Sequence, residues 1–551
     1  MEKNWFENYP IGVRNTIDTE AFASVAEIID KSCREYADRN AFSNMGTTLT
    51  YAEIAAESEA FAAYLQQTLG MRKGERIAIM MPNCLQYATA LFGALHAGLI
   101  VVNVNPLYTA RELEHQLSDA EVKTLVVMEN FAATLEKIYD NVPVETVITT
   151  QLGDMLSPIK RLLTNFVVKR VKKMVPSWNL PGATDFNTAL ASGRRQQFEP
   201  VDINRDDLAF LQYTGGTTGP AKGAMLSHGN VVANVLQCQE WFKPEMSAEG
   251  ELIITALPMY HIFALTVNTL VYFSVGGHNV MITNPRDMPA FVKTLSHYPF
   301  SAITGVNTLY NGLMNTDGFA DLDFSTLKFS MSGGMATQQP VAERWAQTTG
   351  KPIIEGYGLS ETSPVATCNA LSIKSFNHSI GMPMPSTDVD IRDDDGNSLA
   401  LGEPGELCVR GPQVMQGYWN KPDVNAETFT DDGFFRTGDV ARQDENGLFY
   451  IVDRKKDMIL VSGFNVYPNE IEDVVAGHPD ILEAAAVGVP DEKSGEAVKL
   501  FVVKKNPGLT ADTVRDYCRE SLTGYKVPKH YEFIDEVPKS NVGKILRKEL
   551  R

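Results

Sequence analysis

The sequence predicts an α/β protein in which a large N-terminal domain of parallel-sheet αβ layers carries a β subdomain and is followed by a small, mobile α+β C-terminal domain. Three observations carry this. Short β-branched runs alternate with helix-length segments over the first 200 residues, the alternation changes to period two near Asp388, and beyond Lys456 the chain becomes a compact tail of short helices and strands.

In the first part, the runs RIAIM (76–80), LIVVNV (99–104), TLVVM (124–128) and ETVITT (145–150) are separated by segments such as ELEHQLSDA (112–120). That texture predicts parallel strands joined by crossover helices. It continues through ELIITALP, HNVMITN and FSAITGV, whose apolar runs stop at Pro, Asn or Gly, and loops at such strand ends are where ligands sit. The longest apolar stretch, Cys84 to Val104, contains Gln86, His96 and Asn103 and is broken at Gly98. It therefore predicts a buried helix feeding a strand rather than a membrane span. From about Asp388, period-two alternation with an Asp395-Gly396 turn predicts an antiparallel subdomain. NEIEDVVAGHP and ADTVRDYCRESL predict two helices in the tail. Asp453 to Lys456 marks the joint, so the expected domains are 1–453 and 454–551.

A length of 551 residues exceeds one compact core, and 44% hydrophobic with 21% charged residues fits a globular protein. A net charge of −19 argues against a nucleic-acid partner, which needs a concentrated basic field. The six cysteines form no CxxC pair, so neither a zinc site nor a disulfide framework is indicated and a reducing cytoplasm is expected. The N-terminal MEKNWFENYP lacks the apolar core of a secretory signal.

The chemistry concentrates in four segments. The first is Tyr213-Thr214-Gly215-Gly216-Thr217-Thr218-Gly219-Pro220-Ala221-Lys222, which follows the apolar run LAFLQ and precedes the helical pattern SHGNVVANVLQ. Its glycine amides, four hydroxyls and one cation suit a polyphosphate. A kinase-type or GTPase-type loop needs Gly-Lys-Ser/Thr contiguous, and here Lys222 lies three residues beyond Gly219. The second segment is Glu355-Gly356-Tyr357-Gly-Leu-Ser360-Glu361, with a ring to cover a purine, a hydroxyl for a phosphate oxygen and a carboxylate for Mg²⁺. The third, Arg436-Thr-Gly-Asp439 with Asp453-Arg454-Lys-Lys, offers a carboxylate for ribose hydroxyls and cations at the joint. The fourth is Pro538-Lys-Ser-Asn-Val-Gly-Lys544 near the C-terminus.

Together and in this order the segments resemble the adenylate-forming superfamily of acyl-CoA synthetases, luciferases and peptide-synthetase adenylation domains, from about Leu49 to Arg547. DGFFRTGDVARQDENGLFYIVDRKKDMILVSGFNVYPNEIE, with NPLYTARELEHQL, LPMYHIFALT and ITGVNTLYN, is most similar to bacterial long-chain fatty-acid:CoA ligases. Three departures stand out: Gly216 replaces a common Ser or Thr, Ser360 replaces a Thr but keeps the hydroxyl, and MSGGMA lacks the usual wording.

The resemblance implies ATP and Mg²⁺ as cofactors, coenzyme A as co-substrate and a fatty acid as acyl donor. It places Thr214 and Glu361 on the metal, Tyr213 to Lys222 on the phosphates, and Glu355, Gly356, Tyr357 and Ser360 on adenine and phosphate. Asp439 and Arg454 fall on the ribose, and Lys544 matches the catalytic lysine, alongside Glu361. His261 occupies the acyl-pocket gate, Gly305 and Gly333 are expected to open an apolar tunnel, and Ser462 and Gly463 to line the thiol tunnel after a swing of the small domain. A ligase loading a carrier protein, or one for medium-chain acids, stays open at this level, as does the oligomeric state, a homodimer included.

One segment stands apart. IKRLLTNFVVKRVKKMV (159–175) carries six basic residues and no acid in an acidic chain. As a helix it aligns Ile159, Leu163, Phe166 and Met174, although Arg170 falls on the same side. That pattern suggests peripheral contact with an anionic membrane on its cytoplasmic face; an ordinary surface helix with one buried face is the competing expectation.

Overall fold

The computed structural model describes residues 3–214, 220–247, 250–462, 464–491, 493–540 and 543–551. Two largely parallel sheets dominate the chain up to Pro383. A seven-stranded sheet runs in the order Thr184–Asp185, Thr146–Thr150, Thr124–Met128, Arg76–Met80, Ile100–Asn103, Leu208–Thr214, Lys222–Ser227. A nine-stranded sheet has Ile353–Gly358, Phe329–Ser332, Ala302–Gly305, Leu252–Thr255 and His278–Met281 as its parallel centre. The four β-branched runs read from the sequence are adjacent strands of the first sheet, and their side chains are almost wholly buried.

Every residue of helix Leu85–His96 is buried, because it contacts strands of both sheets. A helix apolar all round fits such a sandwiched place. Its Phe92 meets Phe42 and Phe273 in an aromatic cluster of the central core. Neighbouring helices are fixed by their starts: Thr50 and Glu53 form a capping box for Tyr51–Ala63, and Ser227 and Asn230 one for His228–Phe242.

The period-two region is an antiparallel sheet of Asp388–Arg392, Gly405–Arg410, Phe435–Gln443 and Phe449–Arg454. The next sheet begins at Ile459 and contains Ile481–Asp491, Gly495–Lys504 and His530–Phe533, with helices Pro468–Ala476 and Ala511–Ser521 closing its core. Asp453, near the end of strand Phe449–Arg454, is wholly buried and accepts hydrogen bonds from the amides of Arg454 and Asn469. Burial raises its carboxyl to about 6.

Two features differ from the sequence pattern. Strand Leu208–Thr214 does not lead through its loop into a helix; it returns as the antiparallel strand Lys222–Ser227, with Thr214 opposite Lys222, and the helix starts only at His228. Gly223 allows this return, since a Cβ there would lie 3.0 Å from the Tyr213 ring. The intervening Gly215, Gly216, Thr217, Thr218 and Gly219 lie outside the described residues. The basic segment is helix Pro158–Phe166 continued by a wider turn over Val167–Val171, and the helix has no buried residue. One side of the segment is packed, with Val168 buried and Arg161, Thr164 and Asn165 half-buried, while the large apolar side chains face outward. Among the described residues no helix is long and apolar enough to cross a membrane.

Candidate active site

The ends of both parallel sheets, the antiparallel sheet and the C-terminal domain open onto one cavity of about 2290 Å³. It is lined by Thr214 and Lys222 from the hairpin, by the turn that carries Ser360 and Glu361, by Asp439 and Arg454, and by Lys544.

Tyr357 ends strand Ile353–Gly358 and donates its hydroxyl to Asp439 Oδ2 at 2.6 Å, while Arg454 Nε lies 3.3 Å from Asp439 Oδ1. The pairing of Asp439 with Arg454 is set by strand register. Burial, then the charge of Asp439, pushes the Tyr357 phenol well above its ordinary range, so it stays a donor. Glu355, lower on the same strand, accepts from the Thr337 amide at 2.9 Å, and burial raises its carboxyl to about 7. Gly358 brings the following turn close: a Cβ there would lie 1.8 Å from the Pro364 carbonyl oxygen.

Among the described residues the Glu361 carboxylate accepts one hydrogen bond, from Tyr418 at 2.6 Å. No group of three or more His, Cys, Asp or Glu side chains able to hold a metal occurs among the described residues. A cation beside Glu361 and the Thr214 hydroxyl would thus take most ligands from phosphate and water, which fits Mg²⁺ and not a protein-caged metal. Tyr213 lines the cavity, but its hydroxyl is held by Asp119 at 2.7 Å, so its side chain anchors the hairpin.

Lys544 projects from a small hairpin closed by Lys544 N to Ser540 Oγ at 3.1 Å and Ser540 N to the Lys544 carbonyl at 2.7 Å. Its side chain crosses Gly334, where a Cβ would lie 3.3 Å from Lys544 Cε. The C-terminal domain is seated there by a second contact, the Gln339 amide to Asp473 Oδ1 at 3.0 Å. Burial, then Arg454, lowers the Lys544 ammonium to about 8, against the pull of Asp439 and Glu361.

His261 lines the same cavity half-buried, and burial, then Lys544, lowers its imidazole to about 3, so it is neutral near pH 7. Gly333 also lines it, with Phe263 closing over it: a Cβ would lie 3.1 Å from that ring. Gly305 differs from expectation. The space beside it is filled by Tyr310, whose ring would lie 2.9 Å from a Cβ, so Gly305 accommodates core packing. Ser462 sits on an exposed turn at φ 52 away from the cavity lining, and Gly463 lies outside the described residues. Tyr418 and Asp119 are brought to the site by contacts distant in sequence, and no motif in the chain marks them, whereas Gly334 stands in MSGGMA beside the predicted Gly333.

The model of the AMP-binding enzyme family matches residues 29–419, and that of the AMP-binding enzyme C-terminal domain matches 470–544. The chain belongs to the AMP-binding enzyme family. It is 57% identical over 551 residues to a long-chain-fatty-acid–CoA ligase of Yersinia pestis, covering 100% of this chain and 98% of the relative. It is 37% identical over 557 residues to the protein of the same name in Bacillus subtilis, again covering 100% and 98%. Among solved structures, ATP-bound MatB from Rhodopseudomonas palustris superposes with a TM-score of 0.82 at 27% identity, over 96% of this chain and 98% of that one.

An amine held near 8 is reactive at a pH where surface lysines are still protonated. Competitive acetylation followed by peptide mass spectrometry should show half-maximal Lys544 labelling near pH 8, well below the ordinary lysine range of about 10.4. Labelling that rises only in that ordinary range would contradict the cation-crowded site.

Proposed function

We propose that the chain ligates a long-chain fatty acid to coenzyme A through an acyl-AMP intermediate, consuming ATP and releasing AMP and pyrophosphate. The observation that carries this is the meeting, in one cavity, of Lys544 from the C-terminal domain with Glu361, Asp439 and Arg454. A carboxylate is a poor acyl donor, and adenylation gives it a leaving group. Its oxygen attacks the α-phosphorus of ATP, the bond to the β-phosphate breaks, and pyrophosphate leaves. Charge then gathers on the α-phosphate oxygens, where the Lys544 ammonium is placed to neutralise it. Asp439 holds the ribose hydroxyls, the Tyr357 ring covers the adenine, and Ser360 and Lys222 take phosphate oxygens. When bound between Glu361, Thr214 and the phosphates, Mg²⁺ supplies further charge neutralisation.

The acyl chain lies on the side of His261, Phe263 and Gly333, where a neutral imidazole costs an apolar chain little. Each methylene buried contributes about 0.8 kcal/mol, which favours long acids. In the second step the thiol sulfur of CoA attacks the acyl carbonyl, the bond to AMP breaks, and the thiol proton passes to solvent. This step needs Lys544 withdrawn by a swing about the Asp453 to Lys456 joint, between residues 1–453 and 454–551, and Ser462 and Gly463 brought to the cavity.

Peripheral attachment to the cytoplasmic face of an anionic membrane belongs to the same reading. Ile159, Leu162, Leu163, Phe166, Val171 and Met174 are all more than half exposed. Lys160, Arg161 and Lys169 bond to Gly46, Asp154 and Glu129, whereas Arg170, Lys172 and Lys173 have no ion-pair partner among the described residues. An apolar face beside free cations suits the headgroup boundary of anionic lipid.

Lys544→Ala should lose ATP-dependent acyl-AMP formation by at least about a hundredfold, the scale of removing a transition-state charge partner. It should convert supplied acyl-AMP to thioester at close to the parent rate; equal loss of both steps would overturn the division of labour. In vesicle flotation, the triple charge reversal Arg170→Glu, Lys172→Glu, Lys173→Glu should abolish binding to phosphatidylglycerol vesicles while sparing activity on soluble substrate. Unchanged flotation would remove the membrane reading.

A further inference from the structure

Lys222 and Glu361 carry opposite charges, face the same cavity, and form no ion pair with one another among the described residues. The side chain between them is Tyr418. Its hydroxyl donates to Glu361 Oε1 at 2.6 Å, and its ring receives the Lys222 ammonium 4.4 Å from the centroid. Tyr418 is 7% exposed and held from several sides. Its amide donates to Asn425 Oδ1 at 2.7 Å and its carbonyl accepts from Asn425 Nδ2 at 2.9 Å. The segment around it is sewn to both neighbours: Met415 N to the Glu361 carbonyl at 2.8 Å, Met225 N to the Gly417 carbonyl at 2.8 Å, and Trp419 N to the Gly223 carbonyl at 2.8 Å.

We infer that Tyr418 is a positioning residue that holds the Glu361 carboxylate with its hydroxyl and the Lys222 ammonium with its ring, keeping the two from collapsing into an ion pair. This rests on the assignment of Glu361 to the metal and Lys222 to the phosphates. Without the spacer, the long Lys222 side chain would neutralise the carboxylate, and both groups would be spent on each other before nucleotide arrives. With it, one carboxylate oxygen is fixed, and the other accepts no hydrogen bond among the described residues. The ammonium is likewise parked on a π-face, an attraction weak enough to give way to a phosphate.

The two functions of the side chain separate by substitution. Tyr418→Phe keeps the ring and loses the hydroxyl; Tyr418→Leu loses both. The full-length protein is titrated with ATP in EDTA by calorimetry, and its ATP complex with Mn²⁺ by electron paramagnetic resonance. Tyr418→Phe should weaken Mn²⁺ binding about tenfold, the scale of one hydrogen bond to a charged group, with metal-free ATP affinity unchanged. That unchanged affinity also reports an intact fold. Tyr418→Leu should in addition weaken metal-free ATP binding several-fold. Glu361→Gln is the control. If it weakens Mn²⁺ and Tyr418→Phe does not, the positioning role is overturned. If Glu361→Gln itself leaves Mn²⁺ binding intact, the assignment of Glu361 fails and takes the inference with it. Parallel losses of metal-free ATP affinity in both tyrosine variants would assign that effect to the hydroxyl, which both lack, rather than to the ring, and equally contradict the inference.

Discussion

The contact on which the rest of the site depends is the crossing of Lys544 over Gly334. It joins a cation on one domain to carboxylates on another, and neither half is complete alone. Everything that seats the C-terminal domain serves it: the Ser540–Lys544 hairpin aims the side chain, Asp473 receives the Gln339 amide across the interface, and Asn469 reaches Asp453 at the joint. Gly543 belongs to the same fit, with φ 82 and no room for a Cβ against Thr308 Oγ1 at 2.7 Å. A site assembled from two domains can also be disassembled, which is what a two-step reaction in one cavity requires.

Low solvent access sets the charge states. Burial moves Lys544 down to about 8, His261 down to about 3 and Glu355 up to about 7, each toward its neutral form. The same desolvation strengthens every remaining charge interaction. Nucleotide phosphates would restore the Lys544 proton, because an adjacent anion favours the charged form. His261 adds no charge on its side of the cavity, so the cationic side at Lys544 and the side at His261 and Phe263 offer different surroundings within one cavity.

Much of this was legible in the chain because the parallel strands are continuous apolar runs, and buried strands of that kind read plainly. Helix Leu85–His96 was likewise marked by its uniform apolarity. The return strand Lys222–Ser227 was not, since KGAMLS is short, carries no β-branched residue and leads straight into a helix start. The clustering of Glu355, Ser360, Glu361, Asp439, Arg454 and Lys544 followed from motif order. Tyr213 shows what motif position leaves out: Asp119, 94 positions away, takes its hydroxyl. Gly305 failed for a related reason, because which side chain fills the space beside a glycine is decided by packing, here Tyr310. Tyr418 stands 57 positions from the carboxylate it holds, and nothing local marks such a contact.

The most direct measurement is pyrophosphate release with and without coenzyme A over saturated acids from six to eighteen carbons. A two-step ligase with an apolar acyl site gives a single-turnover burst without CoA, sustained turnover with it, and kcat/KM rising with chain length. Sustained release without CoA, or a flat profile across the series, would contradict the account.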